Sequence, residues 1–493
     1  MKGKQRRDEP MFACVRLEDL VPADHPLRGI DRWINFGVVE EKTKHLYSHT
    51  GRPSIDPEVL IRMMVIGYLY GITSERRLCE EVQVNLAYRW FCRMSLEDKV
   101  PHHSTFTKNR NGRFADSGLF RELFMDIVRQ AQAHGLVKGE HVTVDATPVR
   151  ANASLESLEE IVVPFSADEY LDRVESENRD DDQEPLPNTG HTFNNTTHRS
   201  RTDPDARIYG KKFCKPRMSY SHNILMDNSH RVILDVELTE PNLHQEGQAA
   251  GVMVERSRFA YGIEPETLGG DKAYGAGAAV RSICEAGVEP HVSKPEQRGK
   301  HVEGIFDKDQ FSYDKENDQL RCPAGHNLKR RTTHKRNRQI EYAANKTVCS
   351  GCPLKAQCTR GPYRVVHRHL DKEYLDYAAD LRKTDRYRLS QRCRKKIEML
   401  FGEAKEFMGL SRARRRGHQN VLDQCLFTAA VQNMKRIVSA MGKTEEAAPS
   451  GVIRACKITL SMASDASVHL ILQIRKFVVP KYQNMIGSNG ALA

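Results

Sequence analysis

HVTVD, residues 141–145, reads as a short strand that ends on an acid, Asp145. A helix leads into it. From Ser117 the apolar residues Leu119, Phe120, Leu123, Phe124, Ile127 and Val128 recur at helical spacing, and His134-Gly135 ends the run. Beyond the strand come an acidic insertion and an Asn/Thr-rich run, Asn188–Thr197, which reads as a loop. A hairpin follows, with arms 218–226 and 231–238 around Asp227-Asn228-Ser229; its second arm alternates as a half-buried strand would. A helix near 246–259 precedes a strand ending at Gly270-Asp271. Another helix near 280–286 leads to a strand at 290–293. Strands and helices in this mixed order predict an α/β domain with a mixed sheet. Asp145 and Asp271 then both stand at strand ends, where functional groups gather at one rim. A single aspartate at such a place more often only caps a loop.

The chain has 493 residues, 39% of them hydrophobic and 29% charged, about three domains' worth. The longest apolar stretch, Val59–Ile72, is interrupted by Arg62 and is shorter than the roughly 20 residues of a membrane span. The first ten residues are charged with no apolar run behind them, so a cytoplasmic location and no membrane partner are expected. The formal charge is +11. Residues 156–184 hold twelve acids and two arginines, a local −10, which leaves +21 for the rest. A basic body with one acidic insertion suits a polyanionic partner, most simply nucleic acid, since each neutralised phosphate releases a counterion. An ordinary basic protein would carry the same charge.

Residues 1–115 read as helical. Asp56-Pro57-Glu58 is a start signal, Ser74 caps a second helix through Leu78 and Val82, and a third carries Leu86, Trp90 and Phe91. With Arg76, Arg77, Arg89 and Arg93 outside, this is compatible with a helix-turn-helix DNA reader, although such hairpins also occur without DNA.

A third acid lies in RCRKKIEMLFGEAKEFMGL, residues 392–410. Ile397, Leu400, Phe401, Ala404 and Met408 form an apolar stripe on one continuous helix, expected within a helical stretch from about 371 to 441. Arg394, Glu398 and Lys405 superimpose within about 40° beside it. A solvated ion-pair face would look the same. Glu403 lies well around the helix and is the second choice of acid. Two aspartates and a glutamate could hold two Mg2+ ions, with Mn2+ as an alternative, for in-line displacement at phosphorus. Spacing alone does not bring the three together.

Three ordered motifs do point further. VDATPVRANAS around Asp145, GDKAYG around Asp271 and Arg394-x3-Glu398-x6-Lys405 resemble the DDE transposases of bacterial insertion sequences, in the branch with a Tyr-x2-Arg-x3-Glu-x6-Lys signature. Gln391 stands where the tyrosine belongs. GRPSIDPEVLIRMMVIGYLYGITSERRL and HHSTFTKNR resemble the helical N-terminal domain of these enzymes, so the likeness covers roughly residues 10–435. It implies an RNase H-like core and Mg2+-dependent cleavage at element ends with strand transfer. It also implies Asp145, Asp271 and Glu398 as catalytic acids, and Arg394 and Lys405 as DNA-binding. Double-stranded DNA, as element ends and target, is the implied partner, and a homodimer the implied assembly. Asn152, Lys272 and Tyr274 match residues beside the family's acids. A DNA-binding repressor or inactive relic, and a nuclease that cuts without joining, are the other readings.

Cys322, Cys349, Cys352 and Cys358 follow a C-x26-C-x2-C-x5-C pattern suited to a structural, tetrahedral Zn2+, with His326 as an alternative ligand. The segment around them looks polar and poor in core residues. Arg412, Arg414, Arg415 and Arg416 form the densest basic run and are candidates for phosphate contact, or else a solvated helix end. The expected division is a helical DNA-binding domain 1–115 and a core in two parts, 116–295 (with an acidic loop 156–205) and 366–442. A cysteine-rich insertion, 296–365, separates them, and a tail, 443–493, follows.

Overall fold

Asp56 accepts the Glu58 N–H at 2.8 Å and Pro57 opens Pro57–Leu69 (α1), as the start signal predicts. The computed structural model describes residues 16–48, 50, 54–115, 117–161, 194–195, 197–210, 215–241, 243–294, 304–334 and 338–447. The arginine that interrupts the apolar stretch is itself inside. Arg62 is 2% exposed, pairs with Asp31 at 2.6 Å and Glu58 at 2.7 Å, and lies over the Phe36 and Phe91 rings.

Glu75–Val84 (α2) is capped by Ser74, and Leu86–Phe91 (α3) by Asn85, whose side chain accepts from Ala87 and Tyr88. One arginine expected outside this hairpin is buried. Arg89 turns inward and donates to the carbonyls of Ser95, Leu96 and Asp98, gathering that loop. Gly71, just past α1, holds φ +66°, and a Cβ there would come within 2.8 Å of the Phe407 carbonyl. Only glycine lets these helices approach the C-terminal segment so closely.

Leu119–Ala133 (α4) feeds His141–Arg150 (β1), a ten-residue strand. Asp145 is therefore in mid-strand rather than at its end. Leu158–Glu160 (β2) and His198–Ser200 (β3) pair antiparallel and bracket the insertion, most of whose acids lie outside the described residues. Arg207–Tyr209 (β4), Arg217–Asp227 (β5) and Ile233–Thr239 (β6) complete the antiparallel part of the main sheet. Leu243–Tyr261 (α5) crosses to Thr267–Gly270 (β7), and Gly277–Glu285 (α6) crosses to Glu289–Val292 (β8). β1 pairs antiparallel with β5 and parallel with β7, β7 pairs parallel with β8, and both β4 and β6 pair with β5. The mixed α/β expectation holds.

The hairpin arm expected to be half-buried is not. β6 is buried on both faces along Ile233–Val236, because Asp235 is taken inside with Arg121 of α4 at 2.8 Å and Arg256 of α5 at 2.6 Å. An acid paired twice can occupy an interior position that the alternation reserves for water.

Ser312–Asp314 (β9), Gln319–Arg321 (β10), Asn327–His334 (β11), Gln339–Ala343 (β12) and Val365–His369 (β13) form a second, antiparallel sheet. The cysteine-bearing segment is thus not poor in core: Phe311, Leu320, Leu328, Ile340, Tyr342, Ala344 and Val366 pack together beneath it. Lys372–Leu381 (α7), Asp385–Arg394 (α8), Lys396–Glu406 (α9) and His418–Ala447 (α10) follow. The predicted continuous helix is interrupted at Lys395, and residues 407–417 are not helical. There the backbone runs beside the end of β1, with Arg150 N–H donating to Ser411 at 3.2 Å and Ala413 N–H to Arg150 at 2.7 Å. Two units divide the chain, 1–437 and 438–493; in the second, the described residues are helical through Ala447. The tail from 448 lies outside the described residues.

Candidate functional site

The parallel register decides where the two aspartates fall. Thr143 is paired with Gly269, so Asp145 and Asp271, each two residues further on, leave neighbouring strands at the same level. Ala273 N–H donates to Asp271 Oδ1 at 2.8 Å and fixes that carboxylate at the start of the next turn. Asp145 is 16% exposed at its side chain, and Arg394 Nη1 lies 3.8 Å from its Oδ2. Burial pushes the Asp145 carboxyl up to about 6; the charges of Asp271 and Glu398 add to this, while the Ala146 N–H and Arg394 pull it back. Asp145 therefore feels the charge of both other acids. The carboxylate oxygens of the three do not all lie within 4.8 Å of one another. Three carboxylates offer hard oxygen donors, the type that Mg2+ or Mn2+ prefers.

The two short helices supply the rest. Gln391 donates to the carbonyls of His291 and Gly270, at the ends of β8 and β7, and accepts from Arg394 Nε at 3.3 Å. Lys405 donates to Thr147 Oγ1 at 2.5 Å, two residues beyond Asp145 on β1. The break at Lys395 leaves Arg394 and Lys405 on different helices, yet both reach the same strand. Glu398 is exposed beside them. Tyr274 is buried with its hydroxyl 3.5 Å from Asn223, a packing role behind Asp271.

Glu403, the second choice of acid, points elsewhere. It accepts from Gln432 at 3.1 Å and Arg436 at 2.9 Å and pairs with Lys435, all on α10. Burial of Glu403 opposes its charge, but these donors outweigh that and hold its carboxyl below the usual range.

Of the arginine run, Arg412 and Arg416 are exposed and donate to the Asn152 side chain and carbonyl, at 3.0 Å each. Arg414 donates to the Met408 carbonyl and lies 4.2 Å over the Tyr68 ring, and Arg415 faces Asp423 at 3.6 Å. These two are engaged within the protein.

Cys322, Cys349, Cys352 and Cys358 line one cavity. Burial pushes the Cys358 thiol up, and the other three cysteines add to the shift, which places all four in electrostatic reach. His326 N–H donates to Cys322 Sγ at 3.3 Å, while the cysteines remain unbridged. Four soft donors are the type Zn2+ prefers, although no three of these sulfurs lie within 4.8 Å of one another. Sequence reasoning missed a further group, His334, Glu341 and His367. They stand on three different strands, and only the sheet register reveals them.

The family described as "Transposase domain (DUF772)" matches residues 15–112, and "Transposase DDE domain" matches residues 321–438. Both matched families are transposase families, the second of the DDE type. The DDE-domain match takes in the cysteines, Gln391, Arg394, Glu398, Lys405 and the arginine run, while Asp145 and Asp271 lie between the two matched segments. No curated protein matches it. Among solved structures, a piggyBac transposase synaptic complex with hairpin DNA is 8% identical, with 90% of this chain and 86% of that one covered and a TM-score of 0.31. A Mos1 transposase paired-end complex is 13% identical, with 50% and 60% covered and a TM-score of 0.14. At those scores the likenesses carry no argument. No helix among the described residues is long and apolar enough to cross a membrane.

Proposed function

We propose that this transposase binds the ends of an insertion sequence, cleaves the DNA and joins the 3′-hydroxyl ends to target DNA. The observation that carries this is the level pairing of Asp145 and Asp271 on parallel strands, with the Arg394–Glu398–Lys405 helices packed over them. The strand order β6-β5-β1-β7-β8, with β5 antiparallel, supports an RNase H-like core. Asp145, Asp271 and Glu398 would hold Mg2+, which when bound supplies a deprotonated attacking oxygen and neutralises the leaving one. Arg394 keeps Asp145 oriented and partly charged before any ion arrives. Lys405 and Arg394 would also meet phosphate, and Arg412 and Arg416, exposed past the end of β1, would extend that contact along double-stranded DNA. The four cysteines would hold a structural Zn2+ that fixes the helical turns 346–350 and 355–358 against the second sheet. Joining two ends calls for two catalytic centres, so the reading carries a homodimer. Its location would be the cytoplasm, at the nucleoid.

Asp145→Asn tests the chemistry. In a plasmid assay with Mg2+, the variant should bind element ends as the parent does and yield neither cleaved nor joined products. Unchanged cleavage would remove the catalytic reading. Cleaved but never joined products from the parent would favour a nuclease.

A further inference from the structure

The second sheet carries a group that nothing in the catalytic reading uses. Glu341 of β12 stands directly opposite His367 of β13 in the antiparallel ladder, and His334 of β11 pairs with Gln339, two residues before Glu341. All three side chains therefore leave the same face. Ile340 and Tyr342 alternate with Glu341 and point the other way, into the core shared with the cysteines. This face is thus separate from the thiol cavity. His334 Nε2 lies 3.2 Å from Glu341 Oε2, and the His334 and His367 rings meet edge-on at 5.6 Å. One ligand atom from each of the three lies within 4.8 Å of the other two.

We propose that His334, Glu341 and His367 form a second metal site, for Zn2+ or a similar first-row divalent ion. Two imidazoles and one carboxylate are the donor set such ions favour, whereas Mg2+ prefers oxygen alone. Three consecutive strands hold the donors, so small side-chain rotations suffice to close them on an ion. An ordinary His–Glu contact accounts for two of the three groups; it does not account for a second imidazole within 4.8 Å of both. His367 is exposed, so the fourth position stays open to water or to another ligand's oxygen. Such an ion would tie β11, β12 and β13 together from the face opposite the cysteine cavity.

The test uses the full chain as purified, dialysed free of loose metal without a chelator and then titrated with Co2+. The expected result is one saturable equivalent whose visible ligand-field bands grow without thiolate charge-transfer absorption. His334→Gln and His367→Gln should each weaken uptake by at least roughly tenfold to a hundredfold, the loss seen even for outer-shell partners. Cys349→Ser should leave this equivalent in place. Zn2+ should likewise raise the thermal midpoint of the parent and not of the histidine variants, whose circular dichroism should match the parent's. Absence of a saturable equivalent in the parent would overturn the proposal. So would uptake unchanged in both histidine variants, or uptake that brings thiolate absorption and disappears in Cys349→Ser.

Discussion

Gln391 donates its side-chain amide to the His291 carbonyl at 2.7 Å, and thereby pins α8 to the end of β8. The same amide reaches the Gly270 carbonyl at 3.3 Å, one residue before Asp271, and its oxygen accepts from Arg394. The residue standing in place of the signature tyrosine is thus a brace between the second aspartate's strand and the arginine beside the first. Gln391→Leu removes these bonds and leaves two carbonyls without their donor, a loss of about 1–3 kcal/mol. A lowered thermal midpoint is expected. An unchanged midpoint would mean that these bonds do not hold the helix.

Glu403 separates structure from chemistry within one helix. Its carboxylate holds Lys435 and Arg436 of α10, while Glu398, less than two turns earlier, is exposed and acts electrostatically on Asp145. Glu403→Ala leaves two partly buried cations facing nothing, a cost of roughly 3 kcal/mol. The variant should melt earlier but retain Mg2+-dependent cleavage per folded molecule. Glu398→Gln should do the reverse, losing cleavage at an unchanged midpoint. Retained cleavage in Glu398→Gln would move the third acid elsewhere.

The secondary structure around the site was legible because its signals are local: Asp56-Pro57, Ser74, His134-Gly135 and the apolar stripe from Ile397 to Met408 each act over a few residues. What the sequence hid depends on partners far along the chain. Arg89 looks like a surface charge until the carbonyls near Ser95 are found around it, and Arg62 breaks the apolar stretch until Asp31 and Glu58 are found beside it. Asp235 broke the alternation because α4 and α5 each supply an arginine. The extended course of 407–417 follows from its pairing with β1, which helical spacing cannot register. The level of Asp145 and Asp271 needed the parallel register, and the motifs only pointed to it.

The arginine run divides by what each side chain already touches. Arg412 and Arg416 are exposed, whereas Arg414 and Arg415 serve the Tyr68 and Asp423 side of the protein. Arg412→Ala and Arg416→Ala should each weaken binding to any duplex and reduce the slope of log affinity against log salt by about 1. Arg414→Ala should instead lower the thermal midpoint with the slope retained. Equal slopes for the parent and the Arg412→Ala, Arg416→Ala double variant would place the phosphate contacts on other residues.

Acid should weaken the core through His222. This histidine sits opposite Thr147 on β5, edge-on to Phe401 at 6.0 Å, and its Nδ1 is buried without a hydrogen-bond partner. Burial, aided by the nearby Lys405 charge, drives its pKa down to about 3. An unfolded histidine titrates near 6.5. Between those values the unfolded chain takes up a proton that the folded chain refuses, so stability is complete above about 6.5 and falls as pH drops towards 3. From pH 6.5 to pH 5 the loss is about 2 kcal/mol from this group. His291, lowered to about 4 by burial, adds to the same limb. Thermal midpoints at pH 7 and pH 5 should therefore differ more in the parent than in His222→Gln, which no longer titrates at that position. An equal decline in both proteins would assign the acid sensitivity to other groups.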